Sequence, residues 1–172
     1  MVAPRADGPC GDLRAIGRSA PVQSLGRDKI VAVGPRGCGL ARKKQVEIGW
    51  LLRQRLVLPS HSHGLRTLIE HAAAKMKLKL DVQVEADSFR VLTSLVEEGL
   101  GYALLPPSSV RREVADGRLE IAAISNPAPI RELTIASPID HPGSTAIMLI
   151  TSLLRDEVGA CRAEGLWDID LT

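Results

Sequence analysis

The stretch that decides the fold runs from Leu56 to Glu85 and reads LVLPSHSHGLRTLIEHAAAKMKLKLDVQVE. It begins with an apolar run, Leu56 to Leu58, closed by Pro59, as is typical of a strand buried on both faces. Apolar residues then recur at helical spacing from Leu65 to Met76, and polar and apolar residues alternate from Asp81 to Glu85. The stretch therefore predicts a strand, a helix and a second strand in succession.

The rest of the chain continues this alternation of strands and helices. From Val46 to Leu52 the pattern fits a short helix and an extended segment equally well, and both remain open. Alternating strands and helices are typical of an α/β fold, in which helices flank the sheet and right-handed crossovers join parallel neighbours. The further predicted elements are strands at Lys29–Val33, Tyr102–Leu105, Leu119–Ile124 and Leu133–Ala136, and helices that begin near Ser88, Ser108 and Ser144.

The composition excludes several classes of protein. The 172 residues are 45% hydrophobic and 24% charged, which suits a folded domain with an apolar core. The chain has no apolar run of about 18 residues and no basic start followed by an apolar segment, so we expect neither a membrane-spanning helix nor a secretory signal. We therefore predict a cytoplasmic protein without a membrane partner. Four aromatic residues in all argue against a surface that stacks nucleic-acid bases.

The positive charge of the chain is concentrated at its start. Residues 1–46 contain nine Lys and Arg against three Asp, although the whole chain has a net charge of only +2. Residues 1–28 are also rich in Gly and Pro and show no periodicity. We predict a basic, disordered leader at residues 1–28, and a nucleic-acid-binding arm is the alternative.

The residue patterns do not point to catalysis or to a bound cofactor. The sequence contains neither a G-x-G-x-x-G, a Walker A nor a G-x-S-x-G motif, so we predict no nucleotide cofactor and no enzyme activity. Cys10, Cys38 and Cys161 are widely spaced and are expected to be reduced thiols. His61 and His63 have neither a Cys nor an acidic residue beside them in the sequence, so we predict no metal site.

Two loops carry the candidate binding residues. Each follows a predicted strand and leads into a helix, and ligands of open α/β sheets bind at such strand ends. The helix N-termini there offer unpaired N–H groups that suit a carboxylate or an amide. Ser60 or Ser62 could instead only cap the helix that follows the first loop. Asp87 and Ser88, in the second loop, are predicted mainly as helix caps near the cleft at these strand ends. The candidate ligand-binding residues are Ser60, His61, Ser62, His63, Gly64 and Leu65.

Several segments resemble the C-terminal effector-binding domain of LysR-type transcriptional regulators. The most recognisable is LVEEGLGYALLP at Leu95–Pro106, and the earlier segments are LPSHSHGLR at Leu58–Arg66 and VEADS at Val84–Ser88. The sequence of these segments is most similar to the branch of the family related to nitrogen-assimilation regulators. The resemblance covers about residues 29–160.

The resemblance implies a fold like that of the type 2 periplasmic binding proteins, in which two crossing strands join two α/β lobes and the effector lies between the lobes. Residues 34–127 would form the second lobe, with a mixed sheet flanked by helices. Residues 130–162 would form the return strand and last helix of an incomplete first lobe, within a domain at residues 29–163. Residues 164–172 are expected to be a frayed tail. The loop from Ser60 to Leu65 corresponds to the family's cleft loop, which would hold a small anionic or polar metabolite.

The resemblance also implies partners. Family members associate as homo-oligomers and bind DNA through an N-terminal winged helix-turn-helix. We find no counterpart of that element, or of most of the first lobe, in this sequence, so we expect a truncated or fragmentary regulator that reaches DNA only through a part outside it. A stand-alone cytoplasmic binding protein of the same fold is the alternative. In a fragment, an exposed apolar stripe is expected at Leu149, Ile150, Leu153 and Leu154.

Overall fold

The fold is seen in a computed structural model, which describes residues 22–125, 127–137 and 144–172. Cys10 and the part of the predicted leader before residue 22 lie outside the described residues. The strands are β1 (Val22–Lys29), β2 (Val31–Pro35), β3 (Gln45–Glu47), β4 (Arg55–Leu58), β5 (Asp81–Glu85), β6 (Ala103–Leu105), β7 (Leu119–Ser125), β8 (Ile130–Ala136) and β9 (Ile169–Leu171). The helices are α1 (Ile48–Leu51), α2 (Gly64–Lys75), α3 (Phe89–Glu97), α4 (Arg111–Ala115) and α5 (Thr145–Ala163).

The described chain divides into two compact units. Residues 29–130 form the central unit, and residues 22–28 together with 131–172 form the terminal unit. Strands β1 and β8 each continue by one residue into the central unit. The lobe boundaries implied by the resemblance stay predictions.

The sheet of the central unit is mixed, as predicted. In its described part the strand order is β3-β7-β2-β6, with β2 antiparallel to both neighbours and β3 parallel to β7, while β4 pairs with β5 in parallel. Backbone hydrogen bonds of 2.8 Å join Tyr102, just before β6, to Arg55 and Val57 of β4. Strand β4 therefore continues the sheet next to β6 and parallel to it. Among these described strands all but β2 run in one direction, and their carboxyl ends share one edge, which we call the carboxyl edge.

Gly101 permits the junction between β4 and β6. A Cβ atom at this position would lie 2.6 Å from the carbonyl oxygen of Arg55 and 2.9 Å from its carbonyl carbon. Because these are backbone atoms in a sheet, they cannot move aside without breaking the strand pairing. The glycine before Tyr102 therefore lets the two backbones approach each other.

The core of the central unit surrounds β4. Leu56, Val57 and Leu58 are fully buried, which confirms the prediction of a strand covered on both faces. The predicted helix α2 and strand β5 are confirmed as well, with α2 ending at Lys75 so that Met76 lies exposed at its C-cap. The helical residues buried against this core are Leu65, Ile69 and Ala73 of α2 and Leu92 and Val96 of α3.

Several predicted elements have different boundaries in the structure, as in β8, which begins at Ile130 instead of Leu133. The open segment from Val46 to Leu52 contains the end of β3 and all of α1. The strand predicted at Lys29–Val33 is divided between the end of β1 and the start of β2. The helix predicted to begin at Ser108 begins three residues later as α4, since Pro107–Ser109 form a 3-10 turn and Val110 is buried in the core.

The terminal unit corrects two predictions about the chain ends. Its described sheet has the order β8-β1-β9, and β1 pairs with β9 in antiparallel fashion, with Gly26 opposite Leu171. Residues 22–28 were assigned to the leader and residues 164–172 to a frayed tail, yet all of the former lie in β1 and Ile169–Leu171 of the latter form β9. A Cβ at Gly26 would lie 2.6 Å from the Asp170 carbonyl oxygen, so glycine is required for this close pairing.

Helix α5 is capped as predicted, because the Ser144 hydroxyl accepts a hydrogen bond of 3.2 Å from the Ile147 N–H. Val158 is the buried residue of this helix in the described structure. The expected apolar stripe is confirmed as exposed: Leu149, Ile150, Leu153 and Leu154 retain between 45% and 65% of their accessible surface, and Met148 beside them is exposed as well. None of the described helices is long and apolar enough to cross a bilayer.

Candidate functional site

The two predicted loops meet at the carboxyl edge of the sheet. One joins β4 to α2 and the other joins β5 to α3. The Ala86 N–H donates to the Leu58 carbonyl at 3.1 Å, and the Ser60 N–H donates to Oδ1 of Asp87 at 2.9 Å. These contacts place the hydroxyl-rich loop after β4 directly against the acidic loop after β5.

His63 caps helix α2. Its Nδ1 accepts a hydrogen bond of 3.1 Å from the Leu65 N–H, and its carbonyl oxygen accepts the Arg66 N–H at 2.9 Å. The structure thereby corrects the alternative in which Ser60 or Ser62 caps this helix. The reason is local geometry: His63 directly precedes the first helical residue, where an acceptor reaches the orphan N–H groups of the first turn.

The Ser60 and Ser62 hydroxyls are therefore not used for capping. Their oxygens lie 3.0 Å apart, within hydrogen-bonding distance of each other, and Ser62 is exposed. A hydroxyl can donate one hydrogen bond and accept others, so the pair can turn a donor toward an external acceptor.

The Asp87 side chain forms a hydrogen bond with the neighbouring loop and does not cap α3. Its carboxylate accepts the Ser60 N–H, and the Ser60 side chain and then this N–H lower the pKa of the carboxyl from its ordinary value. Ser88 holds the N-cap position of α3, but its side chain makes no capping hydrogen bond with the described residues. Ser88 thus holds the predicted cap position without a side-chain cap, while Asp87 accepts from Ser60, a residue distant in sequence, and not from the first turn of α3.

Two residues of the predicted set have limited roles. Leu65 retains only 2% of its surface and packs in the core, so its side chain does not face the loop. Gly64 is exposed, and a Cβ there would meet open space. Neither residue offers a side-chain hydrogen bond to a ligand, so the polar groups of this loop come from the serines and histidines.

Arg66 also belongs to this site, although the sequence pattern did not single it out. Its side chain is only 5% exposed, and Nη1 donates to the Pro59 carbonyl at 3.0 Å and to Oε1 of Glu85 at 2.9 Å. Its Nε donates to Oε1 of Glu70 at 2.8 Å. The spacing of Arg66 and Glu70 by four residues was a detectable signal of a helical ion pair. Glu85, by contrast, reaches this position only through the folding of β5 beside β4.

His61 gains acidic partners that its sequence neighbours do not provide. Its Nδ1 lies 2.8 Å from Oε1 of Glu70, and its Nε2 lies 3.5 Å from Oε1 of Glu85, with the ring itself 68% exposed. In the described residues, however, His, Cys, Asp and Glu do not form a group of three that could hold a metal ion. His61 therefore belongs to the ion-pair cluster around Arg66.

The family of the chain follows from comparison with known proteins. The sequence profile of the LysR substrate binding domain matches residues 17–159, which is most of the chain. The chain belongs to the LysR substrate-binding domain family. The fold, with its mixed sheet and flanking helices, is of the type 2 periplasmic-binding-protein-like kind found in LysR regulatory domains.

Curated LysR relatives are considerably longer than this chain. It is 29% identical over 117 residues to the HTH-type transcriptional regulator BbuR of Bordetella bronchiseptica, covering 68% of this chain and 36% of the relative. It is 25% identical over 154 residues to the nitrogen assimilation regulatory protein nac of Escherichia coli, covering 87% of this chain and 50% of the relative. The chain thus spans between about a third and a half of these relatives, and matches at similar identity do not single out the nitrogen-assimilation branch.

A solved LysR regulatory domain has the same fold. The Synechocystis PCC6803 CcmR regulatory domain in complex with 2-PG superposes with a TM-score of 0.69 at 19% identity. The match covers 79% of this chain and 65% of that structure. At this level of identity the comparison shows the fold of the chain alone. The 2-PG ligand is a finding about CcmR.

Proposed function

We propose that this chain is the effector-sensing part of a LysR-type transcriptional regulator and that the loop from Ser60 to Gly64 contacts a small polar or anionic metabolite. The observation that carries the proposal is the pair of hydroxyls at the carboxyl edge. Because His63 caps α2, neither hydroxyl is used for the cap, and the exposed Ser62 hydroxyl, next to that of Ser60, can serve a ligand. Ligands of open α/β sheets bind at such an edge.

The wider role follows from the family. We propose that the chain works in the cytoplasm as part of a homo-oligomer and that DNA is contacted by a winged helix-turn-helix outside this sequence. In this role ligand binding shifts the balance between two arrangements of the regulator without chemical conversion of the ligand. The chain requires no cofactor for this task.

The test is a ligand screen with the 172-residue chain. Small carboxylates, phosphorylated acids and polar metabolites, 2-PG among them, are tested by thermal shift, and each hit is measured by calorimetry and recovered to check that it is unchanged. A hit should bind wild type and Ser94→Leu equally, because Ser94 is exposed in the middle of α3, beyond the end of that helix that begins at the carboxyl edge.

Ser62→Leu should weaken binding of the same hit by at least about tenfold, since it removes one hydroxyl and adds bulk at the loop. Equal affinity of Ser62→Leu and Ser94→Leu would remove this loop from the site. Conversion of the ligand into a product would contradict a purely sensory role.

A further inference from the structure

Both polar groups of the peptide between Pro59 and Ser60 are held by charged side chains. The Pro59 carbonyl accepts a hydrogen bond of 3.0 Å from Arg66, and the Ser60 N–H donates one of 2.9 Å to Asp87. We call this arrangement the peptide clamp. Rotation of the peptide plane would break at least one charge-assisted hydrogen bond, and such bonds are stronger than those between neutral groups.

The Arg66 side of the clamp is itself fixed. The guanidinium is almost fully buried and also donates to Glu85 at the end of β5 and to Glu70 on α2. A buried cation keeps its partners because loss of one leaves charge uncompensated. The donor to the Pro59 carbonyl is therefore held from two different elements.

The Asp87 side of the clamp connects the second loop. Asp87 follows the end of β5, so its bond to Ser60 spans the two loops at the carboxyl edge. Like any carboxyl of ordinary pKa it is ionised at neutral pH, as a charge-assisted acceptor requires, and the Ser60 side chain and N–H lower its pKa further. The Ser60 N–H is consequently occupied by a protein group.

We propose that Arg66 and Asp87 are positioning residues that orient the Ser60 hydroxyl for the ligand without touching the ligand themselves. This inference rests on the proposed function of the loop. Because the Ser60 N–H is held by Asp87, the groups left for the ligand are the hydroxyl pair, with Ser62 exposed and its oxygen 3.0 Å from that of Ser60. A hydroxyl of this pair can donate to an acceptor oxygen of the ligand, such as that of a carboxylate or a phosphate.

The clamp is tested with two variants of equal charge. Asp87→Asn and Asp87→Ala both remove the negative charge, but only Asn keeps an acceptor oxygen. Amide hydrogen exchange of the uniformly ¹⁵N-labelled 172-residue chain reports the Ser60 N–H directly. We expect exchange of this amide to be about tenfold faster in Asp87→Ala than in Asp87→Asn. Ser88→Ala, altered at the next residue, should exchange like wild type. Unchanged amide shifts in β4 and β5 verify that each variant is folded.

The positioning role is tested in the same samples with acetate and inorganic phosphate, followed by the amide shifts of residues 60 and 62. A positioning role predicts weaker binding to Asp87→Ala than to Asp87→Asn. A purely electrostatic role of Asp87 predicts equal binding, because the two variants carry the same charge.

Each outcome of these measurements decides between the inferences. Equal Ser60 exchange in the two Asp87 variants would overturn the clamp and leave the proposed function standing. Different exchange with equal anion affinity would overturn the positioning role. Failure of wild type to bind either anion would overturn both the positioning role and the proposed anion site, while the exchange data would still report the clamp.

Discussion

Replacement of Arg66 by Met removes the group that joins the loop after β4 to β5 and α2. Methionine retains an apolar chain of similar length, so the change mainly deletes the guanidinium and its hydrogen bonds to Pro59, Glu85 and Glu70. The Pro59 carbonyl, in a buried residue, would lose a donor, and an unsatisfied buried acceptor costs about 1–3 kcal/mol.

The two carboxylates contribute less to this loss. Glu70 and Glu85 side chains are each 40% exposed, so water can solvate them after the guanidinium is gone. Partly exposed ion pairs are worth roughly 0–1 kcal/mol each. We therefore expect the free energy of unfolding to fall by about 2 kcal/mol, most of it from the Pro59 carbonyl.

Urea unfolding followed by tryptophan fluorescence and far-UV circular dichroism measures this loss. With a slope near 2 kcal/mol per molar, a loss of about 2 kcal/mol lowers the midpoint by about 1 M. Arg90→Met is the matched control, since Arg90 is exposed on α3, and it should change stability by no more than about 0.5 kcal/mol. Equal midpoints for the Arg66 and Arg90 variants would refute the view that the buried guanidinium holds the loop.

Three other predictions concern separate parts of the molecule. Gly101→Ala should lower the free energy of unfolding by at least about 2 kcal/mol in the same urea assay, because the new Cβ would lie 2.6 Å from the Arg55 carbonyl oxygen. A variant as stable as wild type would contradict this close approach of the two strands. The pKa of the Asp87 carboxyl is lowered in the folded chain, so its stabilising bond to Ser60 is fully present above the ordinary carboxyl pKa. The bond is lost as the pH falls through the lowered pKa. The amide shift of Ser60 should therefore titrate in that pH range in wild type and should not titrate in Asp87→Asn. Leu153→Asp should leave the melting temperature nearly unchanged, because Leu153 is 65% exposed, and it should reduce self-association measured by light scattering. A large drop in the melting temperature would show that Leu153 is buried in the folded protein.

Local sequence patterns predicted the central elements well. The run from Leu56 to Leu58, the helix that follows Gly64 and the alternating residues of β5 all depend on short-range periodicity. Elements set by distant contacts were missed. Residues 22–28 lack a periodic pattern of their own and become a strand through pairing with β9 at the other end of the chain. The start of α4 likewise depends on the burial of Val110.

The candidate site was located from sequence, but its internal arrangement was not. Strand ends that lead into helices pointed to the loops at Ser60 and Asp87, and the structure brings these loops into contact. Sequence spacing assigned Asp87 to its own helix, because a cap within the next few residues is the nearest use for a carboxylate. The actual partner lies 27 residues away in sequence, beyond the range of any local pattern.

The sequence by itself determined the alternating α/β order, the family, and the position of the loops at strand ends, because periodicity and short motifs are local properties of a chain. Only the tertiary structure decided that Asp87 holds the Ser60 N–H, that Arg66 is joined to Glu85, and that β1 and β9 pair in one sheet. These features arise from hydrogen bonds between groups that approach each other only after β4 and β5, or β1 and β9, have paired. Hydrogen bonds are short in space, and their partners can be far apart in sequence.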